Sequence, residues 1–220
     1  MSPNKFLCLS IVFMLFLIGP PAGPAAEMKS EQRSLELKSQ TFSRIAAGAS
    51  DIKTISSDFS QEKHLSMLKD PLVSFGKFVY EKPDSLYWEI LKPSPAGFAV
   101  SGGKARRWGS DPRADETFAI DQEPMVKAVV EQIFAWARAD FPWLEKRYRI
   151  TVTEETLSKL KLIPLSPQEK KILAHITIAF SEDWTHVRSV EIHEKGGDFT
   201  RLLFFNALLN PSLPKDLFGK

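Results

Sequence analysis

Four histidines, His64, His175, His186 and His193, are the residues of this chain best suited to metal binding or proton transfer. Glu191-Ile192-His193 sets a carboxylate and an imidazole two apart, on one face if the segment is a strand. His186 lies on the segment just before it. A zinc centre needs a third converging ligand and an open position. Nothing in the spacing specifies either, so these side chains read as exposed polar positions. Ser101 stands in Val-Ser-Gly-Gly rather than in a Gly-x-Ser-x-Gly elbow, and reads as a turn residue rather than a nucleophile. Glu154 and Glu155 are adjacent, so on a strand they point to opposite faces and cannot share acid–base work. No glycine-rich loop follows a strand and opens a helix. The chain is therefore expected to have no catalytic residue, no metal site and no cofactor, and not to be an enzyme.

The apolar residues carry more pattern. The chain holds 16 Phe, 5 Trp and 3 Tyr. Phe59, Phe78, Tyr80, Leu86, Trp88, Phe98, Phe180, Phe199, Leu203 and Phe205 fall on alternating strand positions. Such a face either fills a close-packed core or lines a cavity for an apolar ligand, and the sequence leaves both open. A helical segment adds Met125, Phe134 and Trp136, flexible or bulky groups suited to a surface that repacks, or to plain helix packing.

These groups must be positioned by short aromatic and β-branched runs cut by Gly and Pro, the pattern of consecutive antiparallel strands. Residues 54–65 form a first strand, with Ile55, Ser57, Phe59 and Gln61 on one face. Strands at 76–80, 86–91 and 98–101 follow, and a weaker one around 106–108. Lys82-Pro83-Asp84 and Lys92-Pro93-Ser94-Pro95 separate them, and Gly102-Gly103 is a hairpin turn. Strands resume at 148–153, 157–162, 172–180, 187–194 and 198–205, the last two flanking Lys195-Gly196-Gly197. Two helices interrupt the series. Residues 29–48 place Leu35, Phe42, Ile45 and Ala49 on one side, ending at Gly48 and Asp51. Residues 122–139 form the second, capped by Asp121 and stopped by Phe141-Pro142. The expected class is mainly β (α+β): a strongly curved antiparallel sheet with one apolar face that the helices cover.

The first 26 residues have the physical pattern of a signal peptide. Lys5 is the positive region, Phe6 to Ile18 an uncharged apolar run, and residues 19–26 a Gly/Pro/Ala segment suited to cleavage. The only cysteine, Cys8, lies inside the apolar run rather than at its end, so the chain is not expected to be lipid-modified itself. Residues 27–220 then form one disulfide-free domain in the periplasm. The net charge of +2 argues against nucleic acid as a partner.

The ordered set Phe59-x-Gln61-x-Lys63, Gly76-x-Phe78-x-Tyr80-x-Lys82-Pro83-x-x-Leu86-x-Trp88, Pro93 and Val100-Ser101-Gly102-Gly103-Lys104 resembles the bacterial outer-membrane lipoprotein carrier family (LolA-like). The likeness is good over about fifty residues and holds elsewhere in outline. It implies an incomplete β-barrel with a helical lid over an apolar cavity, and a monomer. By resemblance, Phe59, Phe78, Tyr80, Leu86, Trp88, Phe98, Met125 and Phe134 contact cargo. The family usually has Arg where Lys82 stands, bonded to the lid backbone as a latch. A single ammonium bonds less directionally than a guanidinium, and a solvated turn lysine is an equal reading. The cargo implied is acylated lipoproteins, taken from an inner-membrane ABC-type release complex and passed to an outer-membrane lipoprotein receptor. Another lipid or a lipid-linked metabolite, a lipid-acting enzyme, and a sensor of mislocalised lipoproteins stay open as alternatives.

Overall fold

Alternating apolar and polar side chains make strands, and strands that are apolar on one side must share that side. The computed structural model, which describes residues 24–111, 113, 115–152 and 158–219, shows how they do so. The first meander is β1 (Thr54–His64), β2 (Leu72–Glu81), β3 (Ser85–Lys92), β4 (Ala96–Ser101), β5 (Lys104–Trp108) and β6 (Glu116–Ala119). The second is β7 (Tyr148–Val152), β8 (Lys159–Pro164), β9 (Leu173–Phe180), β10 (Val187–Glu194) and β11 (Phe199–Leu209). All belong to one 11-stranded antiparallel sheet in the order β6-β5-β4-β3-β2-β1-β11-β10-β9-β8-β7. The two meanders join at its centre, where β1 pairs with β11. The sheet is curved and open, and the fold is mainly β. Residues 1–23, which hold most of the expected leader (1–26) and Cys8, and Glu154 and Glu155 lie outside the described residues, while residues 24–26 begin the first helix.

The strand order explains where the helices go. β6 and β7 are consecutive in the chain yet sit at opposite edges of the sheet. The segment between them must cross from edge to edge, and it crosses on the apolar face as α2 (Pro124–Ala137) and α3 (Phe141–Glu145). α2 buries Val130, Phe134, Ala135 and Trp136. α1 (Pro24–Ala49) buries Thr41, Ile45 and Ala49 and packs on β7 and α3. Phe42 stacks flat on Phe141, with centroids 3.8 Å apart, and Lys38 bonds Glu145 at 2.8 Å.

Several local expectations are corrected. Asp121 does not cap α2: it lies in a 3-10 turn (Ile120–Gln122) and pairs with Lys127, and the helix starts at Pro124. Proline suits a first-turn position, because its missing N–H would have no intrahelical partner there. For the same reason Pro142 opens a helix rather than stopping one. It sits in the first turn of α3, whose cap Asp140 accepts from the Trp143 N–H at 3.1 Å. α2 instead ends at Ala137, and Ala139 takes the left-handed conformation, with φ 53°. Leu35, expected on the buried side of α1, is exposed. β6 was not expected from the sequence.

Candidate ligand-binding cavity

The floor is laid by register. Ser57 on β1 pairs with Phe78 on β2, Phe78 with Trp88 on β3, and Trp88 with Phe98 on β4. All four therefore project from the same face in one row across four strands. From the other meander, Phe204 on β11 reaches this row. Its centroid is 5.4 Å from that of Phe78 and 6.2 Å from that of Trp88, both edge-on. Phe59 lies below them, 4.5 Å from Trp88 and fully buried. Its ring occupies the space over Gly76, where an added Cβ would stand 2.5 Å from Phe59 Cζ and 2.0 Å from the Glu89 carbonyl oxygen. Gly76 is thus required by close approach.

Above this floor is a cavity of about 380 Å³, within the range of small-molecule sites. α2 is its roof, through Val129, Gln132, Ile133, Trp136 and Ala137. Leu173, Ile176, Val190, Ile192 and Leu202 form the far wall. Among the described residues, no Asp, Glu, Lys or Arg lines it. Its polar residues are neutral. The Tyr148 hydroxyl donates to Gln132 Oε1 at 2.9 Å. Burial raises the Tyr148 phenol above its ordinary value, the Gln132 hydrogen bond opposing this. Burial likewise holds His186 below its ordinary value, partly offset by the Asp183 carboxylate. Ser57 Oγ, Gln132 Nε2 and Trp136 Nε1 are buried without a hydrogen-bond partner among the described residues.

Of the residues expected to contact cargo, Phe78, Trp88 and Phe98 line the cavity. Phe59 supports the floor from below. Tyr80, Leu86 and Phe134 are packed in the core and are not among the lining residues. Tyr80 and Leu86 are fully buried, and the Tyr80 phenol is pushed up to about 12, chiefly by burial. Met125 is 84% exposed, in the first turn of α2, away from the cavity. Lys82 Nζ donates to the carbonyls of Ala49 and Ser50, at 3.1 and 3.2 Å. The cation sits at the C-terminal end of α1, where the helix dipole is negative. It contacts α1, one of the two covering helices. Arg138, at the end of α2, donates to the Pro83 carbonyl at 3.3 Å. Phe199, Leu203 and Phe205, read from the alternation with the apolar face, project the other way, and the inward residues of β11 are Leu202 and Phe204. Trp136 apart, the roof positions of α2 and the far wall were not picked out from the sequence. Their signal was present in the 3.6-residue spacing of 126–137 and the alternation of 172–180.

The histidines are divided by the sheet. His186 lines the cavity. Val190 and Ile192 also line it, so Glu191 and His193, between and beyond them, lie on the opposite face. There Glu191 bonds His193 at 3.1 Å and Arg201 at 2.8 Å, and the rings of His175, His193, Phe199 and His64 stack in a row. Ser101 Oγ lies 2.9 Å from Ser85 Oγ. Among the described residues no group of three or more His, Cys, Asp or Glu could hold a metal ion, and no helix is long and apolar enough to cross a membrane.

A curved open sheet roofed by a helix over an uncharged, aromatic cavity defines a class of proteins that bind apolar ligands. The family model for outer membrane lipoprotein carrier protein LolA matches residues 50–219, most of the chain, and the protein belongs to that family. Among curated proteins none matches. Solved structures of similar fold include a LolA superfamily protein from Nitrosomonas europaea, at 8% identity and TM-score 0.42, covering 83% of this chain and 97% of that one. The MucA/MucB complex of Pseudomonas aeruginosa matches at 12% identity and TM-score 0.48, covering 83% of this chain and 60% of the other. Lipoprotein LppX of Mycobacterium tuberculosis matches at 11% and 0.40, covering 87% and 99%.

Proposed function

We propose that the protein is a periplasmic carrier that shields the acyl chains of lipoproteins on their way from the inner to the outer membrane. The observation that carries this reading is the uncharged cavity under α2. An acyl chain cannot cross water exposed, since each CH2 kept out of water is worth about 0.8 kcal/mol. The row Phe78–Trp88–Phe98 with Phe204 offers that chain an aromatic floor, and α2 a roof that covers it. The role is binding and release, with no bond made or broken and no cofactor used. The chain would accept cargo from an inner-membrane ABC-type release complex and pass it to an outer-membrane lipoprotein receptor. The test is titration of the protein with a fluorescent fatty-acyl probe, followed by displacement with a diacylated lipopeptide. Saturable micromolar binding with displacement is expected. Absence of saturable binding would overturn the carrier reading.

A further inference from the structure

Among the described residues the cavity has no side chain that could neutralise a carboxylate: Lys and Arg are absent from its lining, and burial keeps His186 on the neutral side. A fatty-acid anion drawn inside would be a buried charge without a partner, which is strongly unfavourable. The same walls hold an excess of donors. Trp136 Nε1–H can only donate. Gln132 Oε1 is engaged by the Tyr148 hydroxyl, which leaves the Nε2 donors of the same amide unpartnered. Gln132 and Trp136 are four residues apart, so they share one face of α2, and the unpartnered Ser57 hydroxyl is on the floor beneath. All three residues line the cavity while these polar atoms are themselves buried, so an occupant reaches them by displacing the side chains that cover them. What they lack is a neutral acceptor, and a carbonyl oxygen is one.

We propose that the cavity takes acyl chains whose carbonyl is esterified or amide-linked, with Gln132, Trp136 and Ser57 donating to that carbonyl, and discriminates against free fatty acid. This rests on the carrier reading and specifies the chemical class of its cargo. An ester-linked acyl chain occurs both in membrane glycerolipid and on the acylated N-terminus of a lipoprotein, and the donors would serve either.

The test is competition against a fluorescent acyl probe at pH 7.5, using methyl palmitate, palmitic acid and hexadecane, with dipalmitoylglycerol and a dipalmitoylglyceryl-cysteine peptide as the two natural sources. Methyl palmitate should displace the probe at about tenfold lower concentration than palmitic acid or hexadecane, the size of one or two hydrogen bonds. Gln132→Leu, Trp136→Phe and the smaller change Ser57→Ala should each lower the preference for ester over hexadecane about fivefold. Equal displacement by ester, acid and hexadecane would overturn this inference and leave the carrier reading standing. So would variants that weaken ester and hexadecane alike. Failure of every hydrocarbon to bind would overturn both. Between the two sources, the tighter competitor identifies which esterified lipid is carried.

Discussion

At the scale of single residues, position along one apolar face separates packing from lining. Leu86 and Trp88 project from the same side of β3, yet Leu86 is fully buried while Trp88 borders the cavity. Leu86→Ala should therefore cost roughly 2–5 kcal/mol of stability and leave acyl affinity per folded molecule unchanged. Phe98→Ala, at the cavity wall, should weaken acyl binding more than it lowers stability. Urea melts beside probe titrations on both variants make the comparison, and equal behaviour of the two would contradict it. Lys82 is argued from its hydrogen bonds to the Ala49 and Ser50 carbonyls. Lys82→Met keeps the aliphatic stem and removes the donor, and should lower stability by about 1 kcal/mol. Protease cleavage between α1 and β1 should then become faster, and an unchanged cleavage rate would count against a tethering role.

At the scale of elements, two contacts depend on the closeness of one backbone to another group. Gly76 lies under Phe59 and against the Glu89 carbonyl. Gly76→Ala forces β2 away from β3 and expels the Phe59 ring, so a loss of roughly 3 kcal/mol or more is expected. A urea midpoint equal to that of the unaltered protein would show that the floor tolerates a methyl group there. The second contact is between α2 and the β2–β3 turn, through Arg138 and the Pro83 carbonyl. Arg138→Ala should speed amide hydrogen exchange in α2 selectively, leaving the central strands protected, and should quicken ligand release. Uniform exchange changes across the sheet would instead mean global destabilisation.

At the scale of the molecule, one pH dependence follows from the cavity. The His186 imidazole is held below its ordinary value of 6.5 by burial. The unfolded chain therefore binds a proton at this site more readily than the folded one. Stability from this group is fully present above about pH 6.5 and is lost as pH falls through the folded value. His175, also held low by burial with Lys161 and His193 nearby, acts in the same direction from a more exposed position. Urea midpoints should be lower at pH 5.5 than at pH 7.5, and His186→Asn should flatten the difference. A variant as pH-sensitive as the unaltered protein would remove His186 from this role.

The sequence by itself determined the strand series, the Gly102-Gly103 and Lys195-Gly196-Gly197 turns, the helix over the middle of the chain and the family resemblance. These rest on local chemistry: period-two alternation, left-handed turn glycines, and a 3.6-residue apolar spacing. Tertiary structure decided what alternation cannot encode. A period of two names a face and not the part of it that borders the cavity, so Phe78 and Tyr80 read alike although only Phe78 lines the cavity. In β11 both parities are apolar, with Leu202, Leu203, Phe204 and Phe205 in succession. Which pair faces inward is fixed by pairing with β1 and β10, and an irregularity in the pairing with β1 shifts the register near Asn206, whose φ is 54°. The roof is also non-local. Gln132 and Trp136 become part of a site because β6 and β7 end at opposite edges of the sheet, and the chain joining them must cross the apolar face.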